Sequence, residues 1–131
     1  MSIKSYRDLL VWQKSMDLAV DIHPYALAFP KAEMFGLTAQ VNRSAASVPS
    51  NIAEGHGRRT TGDYIHFLSI SRGSLNELET QLTLAMRHGY LSEAVHVRFL
   101  ELTAEVGRLL NGLMDSLERR RSSNRPLTPD P

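Results

Sequence analysis

The sequence predicts an all-α protein, a single-domain four-helix bundle with up-down-up-down topology. Apolar residues recur at three- and four-residue spacing along four long stretches, which is the pattern of amphipathic helices. The connections between these stretches are short, so consecutive helices should run antiparallel. No stretch alternates with the period of two that marks a strand. With 131 residues, 42% of them hydrophobic, the chain is long enough for one domain with its own core.

The first two helices are predicted at about residues 8–28 and 33–56. Ser5 and Asp8 have the spacing of a capping box before the first helix, and Pro24 should distort its last turn. The first apolar stripe consists of Leu9, Trp12, Met16 and Ala19. The second consists of Leu37, Val41, Ala45, Val48 and Ile52, is bent at Pro49, and should end in left-handed glycines at Gly55 and Gly57.

The last two helices are predicted at about residues 62–88 and 93–120. Thr60 with Asp63 and, further on, Ser92 are the expected N-terminal caps. The third stripe consists of Tyr64, Phe67, Leu68, Ser71, Leu75, Leu78, Leu82 and Met86. The fourth consists of Val95, Phe99, Leu102, Val106, Leu109, Leu113 and Leu117, with the alternating steps of a coiled-coil seam.

Five further apolar residues fall outside these two stripes: Ile65, Ile70, Leu84, Leu100 and Leu110. They indicate either a wide core face or a second face that is buried against another subunit. After the fourth helix the chain is rich in proline and poor in apolar residues. We therefore expect residues 1–121 to form the bundle and residues 122–131 to be a disordered tail.

Composition excludes several classes of protein. The net charge of +1 does not by itself favour binding to nucleic acid or to a membrane surface. The absence of cysteine excludes disulfides, thiolate metal sites and cysteine nucleophiles. The N-terminus lacks the apolar segment of a signal peptide, and no apolar run approaches the ~20 residues of a membrane span. We expect a cytoplasmic protein.

Several short motifs, in this order, carry a family resemblance. They are residues 8–14 (DLLVWQK), Phe29-Pro30 with Glu33, Gln40, residues 43–49 (RSAASVP), residues 51–55 (NIAEG), Phe67-Leu68, Gly73-Ser74-Leu75, residues 77–82 (ELETQL) and residues 89–91 (GYL). The chain resembles the four-helix-bundle family named for proteins encoded in intervening sequences of 23S ribosomal RNA genes. That name reflects gene location and does not establish a ribosomal role.

The resemblance implies assembly into a ring-shaped homopentamer. The family is similar to the accessory variability determinant proteins of diversity-generating retroelements, which are pentameric barrels that bind a reverse transcriptase and nucleic acid. Those proteins have strongly basic surfaces, from which the net charge of +1 departs. The family supplies no catalytic residues, so we expect a protein without enzymatic activity.

Five polar residues lie on the second and third helices: Arg43, Asn51, Glu54, Glu77 and Gln81. Within each helix, the spacing of three or four residues places Asn51 with Glu54, and Glu77 with Gln81, on a shared face. They are either a polar functional site between the helices or a hydrogen-bonded network that fixes helix register or a subunit contact. We favour the structural network.

No motif indicates a metal or another cofactor. Glu93 with His96 matches the Glu-x-x-His motif of di-iron bundles, and Asp63 with His66 nearly does. These pairs begin two antiparallel helices, so about one helix length, on the order of 35–40 Å, should separate them. No phosphate-binding loop, dinucleotide fingerprint or nucleophile elbow occurs. His56, between two glycines, is interpreted as a solvated loop residue.

A group of arginines lies at the ends of the second and fourth helices, which should share one end of the bundle. This group, the Arg rim, consists of Arg58, Arg59, Arg119, Arg120 and Arg121. A ring would repeat it and suit it to phosphates of RNA or DNA, although arginines also complement helix C-termini. We therefore predict a non-enzymatic oligomeric scaffold or adaptor that binds RNA or DNA. The alternatives are a protein-binding module without nucleic acid and an enzyme that uses the inter-helix polar residues.

Overall fold

The computed structural model describes residues 3–123, which form four α-helices and no strand. In chain order the helices are α1 (Leu10–Leu27), α2 (Leu37–His56), α3 (Thr61–Arg87) and α4 (Glu93–Ser123), with short 3-10 helices at Tyr6–Asp8 and Lys31–Glu33. Each α-helix packs against two others, and α4 closes the bundle against α1. The predicted all-α, four-helix architecture is confirmed.

Some helix boundaries differ from those expected. The capping box of Ser5 and Asp8 is present, but it caps the 3-10 helix, and extended backbone at Leu9 separates that helix from α1. At the other end of the chain, α4 continues to Ser123, so the first two residues of the expected tail are helical. The remainder of that tail, residues 124–131, lies outside the described residues.

A left-handed glycine ends α3, but none ends α2. Gly89 has a φ of +82°, and the N–H groups of Gly89 and Tyr90 donate to the carbonyls of Met86 and Ala85. This is the Schellman arrangement, in which a left-handed residue closes the helix. The expectation of a left-handed glycine at the end of α2 was wrong, because Gly57 has a φ of −81°.

The buried face of α4 is shifted from the predicted stripe. Leu110, predicted to lie outside the stripe, is fully buried, whereas Leu109 and Leu113 are only partly buried. Thr103 is also fully buried, and its hydroxyl donates to the carbonyl of Leu100 at 3.0 Å. The seam therefore follows Phe99, Thr103, Val106, Leu110 and Leu117. The prediction missed this register because it used apolar residues alone, and Thr103 is polar.

Candidate functional site

The five polar residues predicted as one network are not joined within the chain. Arg43, Glu54 and Glu77 are exposed, while Asn51 and Gln81 are partly buried. The amide nitrogen of Asn51 donates to the carbonyl and hydroxyl oxygens of Ser47, both at 2.9 Å. Glu54 instead accepts from Arg58 at 2.6 Å, in the connection that follows its helix. Arg43, Glu54 and Glu77 lie on the exposed surface of α2 and α3, and no hydrogen bond joins the five side chains to one another among the described residues.

Small residues carry the direct contact between α2 and α3. The hydroxyls of Ser47 and Ser74 are 2.8 Å apart, and the buried Ser71 donates to the carbonyl of Val48 at 2.6 Å. At Gly55, an added Cβ would lie 2.8 Å from the Cβ of Phe67, closer than such atoms approach. The hydrogen bonds between α2 and α3 are therefore formed by serines and not by the larger polar residues, whose predicted role in a subunit contact stays a prediction. In the sequence these serines can be recognised because they interrupt an apolar stripe or take one of its positions.

A shallow polar groove remains outside this contact. It is lined by Gln40, Gly73, Asn76, Glu77, Thr80, Gln81 and Leu84. The side-chain carbonyl oxygen of Gln81 is buried without a hydrogen-bond partner among the described residues. Glu77 and Arg43 likewise form no hydrogen bond or ion pair within residues 3–123. This surface is polar and open, with no arrangement of an acid, a base and a nucleophile.

The two halves of the Arg rim lie around the turn between α2 and α3. Arg58 stacks over the ring of Phe67 at 4.5 Å. The guanidinium of Arg121, at the end of α4, lies 3.6 Å from the position of a Cβ on Gly62. Burial raises the pKa of Tyr64, and the nearby charge of Arg120 lowers it by a smaller amount. The ends of α2 and α4 are therefore at the same end of the bundle.

Acidic residues neutralise part of this surface. Glu54 pairs with Arg58 at 2.6 Å, and Glu118 lies 3.9 Å from Arg121. Arg59 and Arg119 are exposed and form no ion pair or hydrogen bond within residues 3–123. All five arginines are exposed to solvent. The Arg rim is thus accessible, with a local excess of positive charge that the net charge of the chain does not reveal.

The histidines have ordinary environments. His56 lies edge-on to Tyr64, with ring centroids 5.8 Å apart. His96 is buried, and its Nε2 is 3.0 Å from the hydroxyl of Thr83. Over residues 3–123, no three potential metal-ligating side chains cluster together. In the same part of the chain, no helix combines the length and hydrophobicity needed to cross a membrane.

Together, the fold and these surfaces define an all-α bundle whose distinctive groups lie on its exterior. Residues 7–112 match the family described as 23S rRNA-intervening sequence protein, and the chain belongs to this family. The structure is similar to the 1.70 Å crystal structure of a protein with unknown function from the S23 ribosomal protein family of Bacteroides thetaiotaomicron VPI-5482. That chain is 27% identical, with a TM-score of 0.74, covering 81% of this chain and 96% of its own length. No protein with a curated description matches the sequence.

Proposed function

We propose that the protein is a non-enzymatic, cytoplasmic scaffold that assembles as a ring-shaped homopentamer and binds RNA or DNA through the Arg rim. The observation that carries the proposal is that Arg120 and Arg121 of α4 lie near Tyr64 and Gly62, in the first turn of α3, which follows Arg58 and Arg59 closely in the chain. A ring would present this end of every subunit on one side. No cofactor takes part.

Arginine suits this role because its planar guanidinium can donate two parallel hydrogen bonds to one phosphate. The contacts of one subunit are few, and Glu54 and Glu118 compete for two of the five arginines. Binding should therefore depend on several subunits engaging one nucleic acid, which raises the effective concentration of each further contact. Such binding is electrostatic, falls steeply with salt, and does not distinguish sequences.

Fluorescence anisotropy with a structured RNA and a DNA duplex, at low and physiological salt, tests the proposal. The wild type should bind at low salt and weaken as salt rises. Replacing all five rim arginines by glutamine should abolish binding without changing mass or helicity. The control replaces five exposed cations elsewhere by glutamine: Lys31, Arg43, Arg87, Arg98 and Arg108.

Both variants carry the same net charge, so only the rim variant should lose binding if the location of the arginines matters. An equal loss of binding in both variants would show that binding depends on net charge and not on the location of the arginines. A wild type that does not bind at low salt would contradict nucleic-acid binding and favour the protein-binding alternative. That alternative has its own support in the exposed apolar residues of α1 and of the turn that follows it. If neither binding holds, turnover screens address the enzyme alternative.

A further inference from the structure

The most exposed large apolar side chain of the described residues is Phe35, in the turn between α1 and α2. It is 94% exposed, and its neighbour Met34 is 53% exposed. Leu27, the last residue of α1, is 62% exposed at the same end of the helix pair. Single apolar residues on a surface are ordinary, but a phenylalanine normally buries about 150–250 Å². This turn therefore presents an aromatic group that its own bundle leaves in water.

An apolar groove runs along the outer surface between α1 and α2, with a volume of about 700 Å³. We call it the α1–α2 groove. Its α1 wall contains Trp12, Met16 and Val20, and Tyr6 packs edge-on against Trp12 with centroids 5.3 Å apart. Its α2 wall is formed by the small or flat residues Ala45, Ala46, Pro49 and Ala53. Large side chains stand on one wall and short ones on the other, so a space remains between the helices.

Three polar side chains of the groove are engaged within the chain. The Nδ1 of His23 lies 3.2 Å from the Oδ1 of Asn42, and the hydroxyl of Ser50 donates to the carbonyl of Ala46 at 2.8 Å. A volume of ~300–1,000 Å³ is typical of small-molecule pockets, but such pockets also direct a few polar groups at the ligand. Here His23, Asn42 and Ser50 each form a hydrogen bond within the chain, and most of the remaining lining is apolar. The groove is therefore suited to an apolar side chain.

We propose that Phe35 of one copy of this chain occupies the α1–α2 groove of a second copy. This inference rests on the oligomer of the proposed function and names the contact that builds it. The turn and the groove are different surfaces of one subunit, so the contact is head-to-tail. Each copy gives Phe35 to one neighbour and its groove to another. Head-to-tail contacts form a ring when the rotation between subunits closes.

The contact has the composition of an interface centre. Binding energy concentrates in a few aromatic anchors that fill pockets, surrounded by residues that exclude water. Phe35 is the anchor, and the exposed Met34 and Leu27 supply flanking apolar area at the same end of the helix pair. A stable interface buries roughly 800 Å² per partner, so the anchor must be accompanied by such a surrounding surface. Both partners of the contact exist on every copy, and no other protein is required.

The first test is Phe35→Ala, followed by light scattering and sedimentation over a range of concentrations. Phe35 is almost fully exposed, so its removal leaves no cavity in the subunit, and helicity should be unchanged. The subunit dissociation constant should rise about 30-fold or more, the effect expected on removing an interface hot spot. Val97→Ala, at a 53% exposed position on α4, is the matched control and should keep the wild-type mass.

The second test blocks the groove. Ala46→Arg places a long side chain into it from an exposed helical position, where arginine is compatible with the helix. This variant should lose assembly as Phe35→Ala does. Ala104→Arg, on the exposed surface of α4 away from the groove, adds the same charge and should assemble normally. If the groove binds a small molecule instead, Phe35→Ala and Ala46→Arg should both keep the wild-type mass. That result would overturn the inference.

Mixing the two variants tests whether these surfaces meet each other. Phe35→Ala retains a free groove, and Ala46→Arg retains Phe35. One contact can form between them, so the mixture should give a heterodimer of twice 14.7 kDa and nothing larger. Two monomeric variants that remain monomeric when mixed would overturn the inference. A monomeric wild type would contradict the proposed oligomer itself, whereas an oligomeric wild type with oligomeric variants would contradict only this contact.

Discussion

Helix α2 packs against α1 on one side and α3 on the other, and the two contacts use small residues to opposite effect. Towards α3, Ser47 faces Ser74 and Gly55 lies against Phe67, so the backbones approach closely and hydroxyls bridge the helices. Towards α1, Ala46 and Pro49 stand opposite Trp12 and Met16, and a groove of about 700 Å³ remains. Small residues on one helix allow close packing only when the side chains of the facing helix are also small or fit against them.

The difference separates a contact that is completed within one subunit from a groove that we propose is filled by a second copy. The α2–α3 contact satisfies its buried serine hydroxyls internally, as buried polar groups require. The α1–α2 groove instead leaves apolar surface in water, which favours association. We therefore expect changes between α2 and α3 to alter the free energy of unfolding. Changes at the groove should alter assembly and leave folding largely intact.

The largest effect on folding should come from Gly55→Ala, measured by urea unfolding in the Phe35→Ala background so that association does not contribute. The new Cβ would meet Phe67 at 2.8 Å and the carbonyl of Tyr64 at 3.2 Å. Overpacking of this kind costs about 1–3 kcal/mol. Gly73→Ala is the control, because an added Cβ there has no neighbour within 4 Å.

The control should be stabilised by about 0.5–1 kcal/mol, since alanine is the better helix former. Both substitutions share this propensity gain, and only Gly55→Ala introduces a clash. Opposite signs are therefore expected. Equal stabilisation of both variants would show that α2 and α3 can separate without cost.

A smaller loss is expected for Ser71→Ala. The hydroxyl of this fully buried residue donates to the carbonyl of Val48 at 2.6 Å, across the α2–α3 contact. Its removal should lower the free energy of unfolding by about 0.5–1.5 kcal/mol, the net value of a typical hydrogen bond. Thr80→Ala removes a hydroxyl that bonds within its own helix at an exposed position, so it should change stability by less than about 0.5 kcal/mol.

The smallest effect should be a loss of folding stability at high pH that is caused by ionisation of Tyr64. Burial raises its pKa above 10.0, with a smaller opposing effect of Arg120. A pKa that is higher in the folded protein than in the unfolded chain gives stability that is complete below about pH 10 and is lost as pH rises through the folded value. Tyr64→Phe should therefore lose less stability than the wild type between pH 9 and about pH 11.

The comparison of the two proteins isolates Tyr64 from other titrating groups. Tyr90 has a raised pKa through its hydrogen bond to Glu33, but it is present in both proteins and cancels. Because the hydroxyl of Tyr64 is buried without a hydrogen-bond partner within residues 3–123, the phenylalanine variant should be no less stable at neutral pH. Parallel pH profiles would contradict the assigned burial.

The sequence predicts the helices well because their apolar spacing is long and regular. The sequence-based prediction fails where a polar residue is buried or an apolar residue is exposed. Thr103 occupies the core seam, which shifts the buried face of α4 from Leu109 to Leu110. Leu84, by contrast, has the apolar side chain typical of a core residue but is 45% exposed. Periodicity indicates which residues share a face, but the packing of all four helices decides which face is buried.

The candidate sites show the same limit. The common end of the two arginine groups follows from topology alone, and the structure agrees with it through Gly62 and Arg121. The polar residues of α2 and α3 were expected in a network, but only Asn51 bonds to a serine of the helix contact. The exposure of Phe35 and the groove beside Trp12 depend on how two side-chain surfaces fit together, which no one-dimensional spacing reveals.

The central claim is that this bundle is incomplete alone and functions as an assembly. The most direct test is the mass of the wild-type protein by light scattering at micromolar concentration. We predict a mass near five times 14.7 kDa, with Phe35→Ala shifted towards 14.7 kDa under the same conditions. A wild-type protein that remains at 14.7 kDa across that concentration range would contradict it.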